Sequence, residues 1–369
     1  MSAVLLFGIF FALLFLNVPI AMSLGVSSII TTMAVKPAMM STIAANLYSS
    51  TNTYVLLAIP FFILAGNIMD VSGISVRLIN FFNSLVGHTK HGTAMVCVIV
   101  ACFFAAISGS GPATVAALGG ILIPAMSKSG YEKDTSAALM STAGAIGIVI
   151  PPSITFVVYG SVTGTSVGDL FMAGIIPGIL IGVAIYFTMV ISSRGCNLVR
   201  QPKASGKERW KAFGDAVWGI LMPVIILGGI FSGIFSITEA SGVAVVYSAI
   251  IAFFVNRSVK LKDIPDMIIE AASTSGLVLI LAGAGTAMAW GIANERVMSL
   301  LIEPLSQMPQ WAFLLLVNVL LLVCGMFMDD YASTVILAPI IAPIAWAIGI
   351  NPLHLSLIHI SEPTRPEPI

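Results

Sequence analysis

Residues 94–152 read AMVCVIVACFFAAISGSGPATVAALGGILIPAMSKSGYEKDTSAALMSTAGAIGIVIPP, and the fold turns on how this stretch is broken. Two apolar runs, Ala94–Ile107 and Ala113–Met126, flank Ser108-Gly109-Ser110-Gly111-Pro112. As helices each would be roughly 21 Å long, short of the ~30 Å hydrocarbon core of a bilayer. The pentad between them breaks a helix, because glycine frees the backbone and Pro112 lacks a donor. Unpaired backbone at membrane depth survives only where protein covers it or where it lines a wet cavity. The spacing therefore predicts a re-entrant helical hairpin whose tip carries hydroxyls and bare carbonyls. A second break, Ile150-Pro151-Pro152-Ser153, interrupts the next apolar run, Thr135–Val158. Broken helices that meet near the midplane are the way secondary transporters build ion and substrate sites.

Working outward, the composition agrees with a polytopic, all-α membrane protein. The chain is 58% hydrophobic and 9% charged, with a mean hydropathy of +1.05; soluble domains carry about 25% charged residues. Net charge is zero and no basic tract alternates with aromatics, which argues against nucleic acid. Cys97, Cys102, Cys196 and Cys324 lie in or beside apolar segments without paired metal spacing, as buried thiols do. The apolar N-terminus, Val4–Leu16, has no basic leader and is read as a membrane segment.

Further crossings are expected at Pro19–Val35, Val55–Met69, Leu170–Ser192, Val217–Phe235, Gly242–Val255 and Ala271–Ile292. Lys36–Tyr54 reads as a polar loop with a short helix, and Ile74–Val86 as an amphipathic interfacial arm. Arg194, Arg200, Lys203, Lys207, Arg209 and Lys211 make the most basic loop, which the positive-inside rule assigns to the cytoplasm. Arg257, Lys260 and Lys262 return to the same side after two crossings.

The second half repeats the first. Ile280-Leu281-Ala282-Gly283 echoes Ile63-Leu64-Ala65-Gly66, and 295–308 resembles another arm. Phe313–Met328 and Ala332–Ala347 flank Asp329-Asp330-Tyr331. Ala113-Thr114-Val115 aligns with Ser333-Thr334-Val335 at an offset of 220 residues. An odd number of crossings between the copies makes them inverted repeats with two re-entrant hairpins, entering from opposite faces toward one cavity. The six blocks expected are first-repeat scaffold and arms (1–92), first hairpin and broken helix (93–168), connecting crossings (169–262), second-repeat crossing and arm (263–310), second hairpin (311–357), and a tail (358–369). The repeat calls for a second Pro-Pro element near position 371, just beyond Ile369, and the tail IHISEPTRPEPI changes character abruptly, so the chain is expected to be C-terminally truncated with a non-native end.

IPFFILAGNIM, AAISGSGPATVAALGGILIPAM, IGIVIPPS, LFMAGIIPG, GIFSITEASGVAVVY and GMFMDD…APIIAPI, in this order, resemble the large membrane (M) subunit of tripartite ATP-independent periplasmic (TRAP) transporters, DctM-like, over nearly the whole chain to about Leu355. The resemblance implies an ion-transporter-superfamily fold with an elevator-type transport domain, in the bacterial inner membrane. It also implies sodium-driven uptake of an organic acid such as a C4-dicarboxylate. The partners implied are a small four-helix membrane subunit and a periplasmic substrate-binding protein. No cofactor beyond the coupling ion is expected. Where the family carries GIFTPTEA this chain has Gly233-Ile234-Phe235-Ser236-Ile237-Thr238-Glu239-Ala240, without the proline.

Candidate sodium- and substrate-binding residues are Ser108, Gly109, Ser110, Gly111 and Pro112 at the first tip, Pro151, Pro152, Ser153 and Thr155 at the second break, and Gly325, Asp329 and Asp330 at the second tip. Ser108, Ser110, Gly325 and Asp329 are the candidate sodium ligands. Hydroxyls bonded back to the backbone, or a simple proline kink, are the structural alternatives. Glu239 suits a helix cap as well as a transport role, Asn67 and Asn294 suit either a break or a path, and Arg77 suits an interfacial anchor. A carrier of the same superfamily working without a binding protein stays open. An intramembrane enzyme does not fit, since no histidine lies in a predicted crossing and HExxH does not occur.

Overall fold

A computed structural model describes residues 2–294, 305, 307–326 and 328–356. Fifteen helices of ten or more residues account for most of them: α1 Ser2–Phe15, α2 Ile20–Val35, α3 Met40–Thr51, α4 Ala58–Val71, α5 Ile74–Val86, α6 Gly92–Ser108, α7 Gly111–Lys128, α8 Lys133–Val149, α9 Ile154–Thr163, α10 Val167–Ser192, α11 Gly206–Phe231, α12 Ile237–Ile250, α13 Ile264–Asn294, α14 Gln310–Gly325 and α15 Asp330–Ala347. No strand occurs among the described residues. Six helical segments are long and apolar enough to cross a membrane: Tyr54–Val71, Val167–Ser192, Gly206–Phe231, Ile237–Val255, Leu261–Ala293 and Asp330–Ala347. The broken pair α8 and α9 adds a seventh if it counts as one span. The chain is a multi-pass, all-α membrane protein. Most of the expected second arm (295–308) and all of the tail (358–369) lie outside the described residues.

Helix ends differ from the apolar runs for local reasons. α11 starts at Gly206, well ahead of the apolar run, because Ser205 and Glu208 form a capping box: the Glu208 amide donates to Ser205 Oγ (3.3 Å) and the Ser205 amide to Glu208 Oε2 (2.7 Å). α12 starts on the same device, with Ser236 and Glu239. Glu239 is therefore a cap partner, and Ile237 occupies the first helical position, where the family's proline would sit without losing a bond. The stretch expected as a loop with a short helix, Lys36–Tyr54, holds the twelve-residue α3. Its hydroxyls bond back to the helix, Thr51 Oγ1 donating to Leu47 O at 3.0 Å, which makes a Ser/Thr-rich sequence compatible with helix.

The chain divides into two interleaved compact units. The first comprises Met1–Leu57, Thr155–Leu170 and Ser273–Arg365; the second comprises Ala58–Ile154 and Phe171–Ala272. In the first unit Leu6, Phe10, Leu24, Met288 and Ile336 share a buried core. In the second, Phe62, Leu78, Phe104, Leu122, Met140 and Ile226 do so. Arm α5 belongs to this second core: Ile74, Leu78 and Phe82 face inward. Arg77 on the same helix donates to the Asn256 side chain, and Asn256 Nδ2 donates to Ser72 O at 3.2 Å. Arg77, half-buried, is thus held by a side chain of the same unit, a partner the reading of it as an interfacial anchor did not foresee.

The ends of α6 and α7 away from their tip gather beside the basic loop of the same unit. Ser193 Oγ lies 3.1 Å from His91 Nδ1, and the Val199 amide donates to Ser129 O at 3.0 Å. Asn83 Nδ2 at the end of α5 reaches Gln201 Oε1 at 2.6 Å. The base of the hairpin and the start of the basic loop are therefore neighbours, while Gly109 sits a full helix length away.

Candidate functional site

At the first tip the break is narrower than the five residues the sequence suggested. α6 has 17 residues and α7 has 18, so each measures roughly 26 Å. Only Gly109 and Ser110 leave helical geometry. Gly109 takes φ +63°, ψ 13°, the left-handed cap favoured by glycine, and its amide donates to Ala105 O at 2.8 Å. Ser110 is extended (φ −137°, ψ 130°) and caps α7. Gly111 and Pro112 are already helical, in the first turn, where the missing N–H of proline costs nothing. Pro112 is exposed, and it starts a helix here where it was expected to disrupt one.

Protein encloses the break. A Cβ on Gly109 would stand 2.5 Å from Pro152 O, one on Gly147 would stand 3.1 Å from Ser110 O, and one on Gly66 would stand 3.2 Å from Ser108 Cα. Only residues without side chains allow this approach. The Ile154 amide donates to Gly109 O at 3.2 Å, so the first tip and the Pro151-Pro152 break share backbone bonds within one unit. Pro151, Pro152 and Ser153 are buried, and Ser153 Oγ donates to Ile148 O (2.5 Å), satisfying a carbonyl that the break leaves behind. Ser108 is buried and lies 3.1 Å from Thr114 Oγ1; it also reaches Ser110 O at 3.3 Å. Thr114 Oγ1 donates to Ser110 O at 2.8 Å. The hydroxyls of Ser108 and Thr114 are thus engaged locally, while that of half-buried Ser110 has no partner among the described residues. Asn67, next to Gly66, carries a buried Nδ2 without a partner.

The second tip belongs to the first unit. Shifting α7 by the 220-residue offset would place a helix over 331–348, and α15 runs from Asp330 to Ala347, one residue earlier at each end. Met326, Met328 and Asp329 stand between the two helices, with the Met328 amide on Cys324 O at 2.8 Å. Gly325 closes α14, half-buried. Asp329 occupies the N-cap of α15 but makes no capping bond to its own helix. Asp330, half-buried, accepts from Thr155 Oγ1 at 2.6 Å. Thr155, expected to contribute at the second break, is tied to this carboxylate.

The sequence reading missed three hydroxyls. Ser333 and Thr334 lie one turn into α15, 5% and 0% exposed, and neither Oγ nor Oγ1 has a hydrogen-bond partner. Thr114, the repeat mate of Thr334, completes the bonding of the first tip. The signal was present in the offset itself, which sets Thr114 opposite Thr334. The second tip thus offers two carboxylates and two unpartnered hydroxyls beside a helix N-terminus. Oxygen-only sets of this kind suit a hard cation, and the helix N-terminus suits a carboxylate. Among the described residues no group of three or more His, Cys, Asp or Glu side chains is arranged for a metal.

A family model described as "Tripartite ATP-independent periplasmic transporter, DctM component" matches residues 7–361. The chain is 41% identical over 338 residues to the C4-dicarboxylate TRAP transporter large permease protein DctM of Pseudomonas aeruginosa, covering 91% of this chain and 79% of that one. The Rhodobacter capsulatus protein of the same description is 37% identical over 374 residues, covering 97% and 85%. The sialic acid TRAP transporter large permease protein SiaM of Vibrio cholerae is 33% identical over 351 residues, covering 94% and 82%.

Proposed function

The chain belongs to the DctM family of TRAP transporter large permeases, and from that premise we propose that it carries an organic acid across the bacterial inner membrane by sodium-driven, elevator-type alternating access. The substrate class proposed is a C4-dicarboxylate or a similar carboxylate, the one named for the P. aeruginosa and R. capsulatus relatives. A periplasmic binding protein delivers it, and a small four-helix membrane subunit completes the permease.

One observation carries the sodium part. Evolved interiors rarely leave buried hydroxyls unpaired, because each costs about 1–3 kcal/mol, yet Ser333 and Thr334 are unpaired beside Asp329 and Asp330. A cation held by these oxygens accounts for all four. At the first tip the open Ser110 hydroxyl and the carbonyls around Gly109 supply a second set of neutral oxygens, with Ser108 held by Thr114. Gly325 contributes backbone at the second tip.

The test is uptake of a labelled C4-dicarboxylate into proteoliposomes holding this chain and its small subunit, with binding protein outside and an inward sodium gradient. Uptake should require all three components and collapse without the gradient. Equal uptake in potassium would remove sodium coupling. Uptake without the binding protein would favour a self-sufficient carrier of the same superfamily. Transport of a sugar acid in place of the dicarboxylate would change the substrate class alone.

A further inference from the structure

Away from both tips, the second unit carries an open groove of about 260 Å³ lined by Phe81, Leu85, Gly206, Arg209, Trp210 and Phe213. It lies between the C-terminal half of arm α5 and the first two turns of α11. Its walls are aromatic: Phe213 packs at a tilt against Phe81, ring centres 5.6 Å apart, and meets Trp210 edge-on at 5.8 Å. Trp210 is nonetheless 75% exposed, an arrangement typical of the membrane–water interface, where one side of the ring is apolar and the other wet.

A cation sits in this apolar setting without a counter-charge. Arg209 Nε is buried and has no partner. The adjacent carboxylate, Glu208, is already committed to the Ser205 amide. Lys207 and Lys211 flank it, both exposed. The groove therefore combines a half-buried guanidinium whose Nε is unpartnered, two further cations and a greasy wall, at the end of the loop that charge assigns to the cytoplasm. A free anion has no use for the aromatic wall, and an uncharged lipid or apolar helix would leave Arg209 unpaired. An anionic amphiphile meets both needs, since guanidinium forks match phosphate oxygens.

We propose that this groove holds an anionic phospholipid of the cytoplasmic leaflet, of the phosphatidylglycerol class. Arg209 takes the phosphate, and Phe81, Trp210 and Phe213 pack on the glycerol and upper acyl chain. So placed, the lipid bridges arm α5 and helix α11.

The probe is phosphatidylglycerol against phosphatidylcholine, offered in equal amounts to the purified full chain in nanodiscs and read as lipid retained after extraction into detergent. Each interfacial cation favours an anionic lipid by about fivefold. The chain should therefore retain phosphatidylglycerol over phosphatidylcholine by about fivefold or more, and Arg209→Gln should lower that ratio by about fivefold. Quenching places the lipid: brominated phosphatidylglycerol should quench tryptophan emission more in the wild type than in Trp210→Phe, a variant that keeps the aromatic wall and decides the matter if Arg209→Gln does not fold. Equal retention of both lipids overturns the proposal, as does an unchanged ratio in folded Arg209→Gln or equal quenching in both proteins. Displacement by inorganic phosphate would assign the groove to a free anion, and loss of the lipid on adding the small membrane subunit would assign it to protein docking; either result also overturns it.

Discussion

Thr114 and Thr334 occupy equivalent places in the two repeats, yet their hydroxyls face opposite circumstances. Thr114 bonds Ser110 O and Ser108 Oγ; Thr334 bonds nothing. Valine removes the hydroxyl while keeping the shape, so the two positions separate structure from function. Thr114→Val should lower stability by about 1 kcal/mol, read as a lower unfolding temperature in detergent. Thr334→Val should leave stability unchanged or raise it by about 1 kcal/mol, because a buried unpaired group disappears. If the hydroxyl is a sodium ligand, the same variant should need about tenfold more sodium for half-maximal uptake, roughly the loss of one charge-assisted contact. Unchanged sodium dependence in Thr334→Val would leave that hydroxyl with no role in coupling. Gly109 makes a sharper case. Its φ of +63° costs an L-residue roughly 1–2 kcal/mol, and a Cβ would stand 2.5 Å from Pro152 O. Gly109→Ala should therefore unfold at lower temperature and lose uptake together, whereas Gly120→Ala, with open space around it, should do neither.

At the scale of helices, the breaks were legible because glycine and proline act through the backbone alone, and no tertiary contact is needed to read them. The Gly109 turn and the Pro151-Pro152 interruption fall within the breaks the sequence places, while α15 starts at Asp330, two residues ahead of the expected Ala332. Helix starts were less legible: the Ser205–Glu208 and Ser236–Glu239 boxes are polar, and a search for apolar runs passes over them. Partner choice was not legible at all. Nothing local says that Arg77 meets Asn256, or that Thr155 turns to Asp330, since those contacts join residues more than 170 positions apart. The base of the α6–α7 pair illustrates such a contact with a consequence for pH. Burial first, and the Lys90 charge second, hold the His91 imidazole below its usual pKa of 6.5. Its Nδ1 faces Ser193 and, at 3.5 Å, the Tyr131 hydroxyl, itself pushed up by burial to about 12. A depressed folded-state value means the unfolded chain takes up the proton first. The stabilising contribution is complete above 6.5 and is lost as pH falls toward the folded value. The unfolding temperature should decline below pH 6.5, and His91→Gln should flatten that decline. A profile identical to the wild type would place the pH dependence elsewhere.

For the molecule as a whole, sidedness follows from joining charge to geometry. The basic loop 194–211 and the cluster Arg257, Lys260 and Lys262 are separated by two membrane-length helices, Gly206–Phe231 and Ile237–Val255, so they must share a side. The contacts of Ser193 with His91 and of Val199 with Ser129 bring both ends of the α6–α7 pair to that same side. A pair of helices that starts and finishes there must turn at Gly109 toward the opposite leaflet, whether or not it reaches it. Single cysteines at Lys90, Lys203 and Lys260, in a background lacking the four native thiols, should all react with an impermeant maleimide in inside-out vesicles and stay silent in right-side-out ones. Discordance between Lys203 and Lys260 would mean that α11 and α12 do not both span. Concordant labelling from the periplasmic side would reverse the orientation, and would move the Arg209 groove to the outer leaflet. A cysteine at Ser110 separates the two remaining arrangements of the hairpin: protection from both faces fits a tip enclosed by Gly66, Gly147 and Pro152 at membrane depth, and free labelling from the periplasm fits two complete crossings.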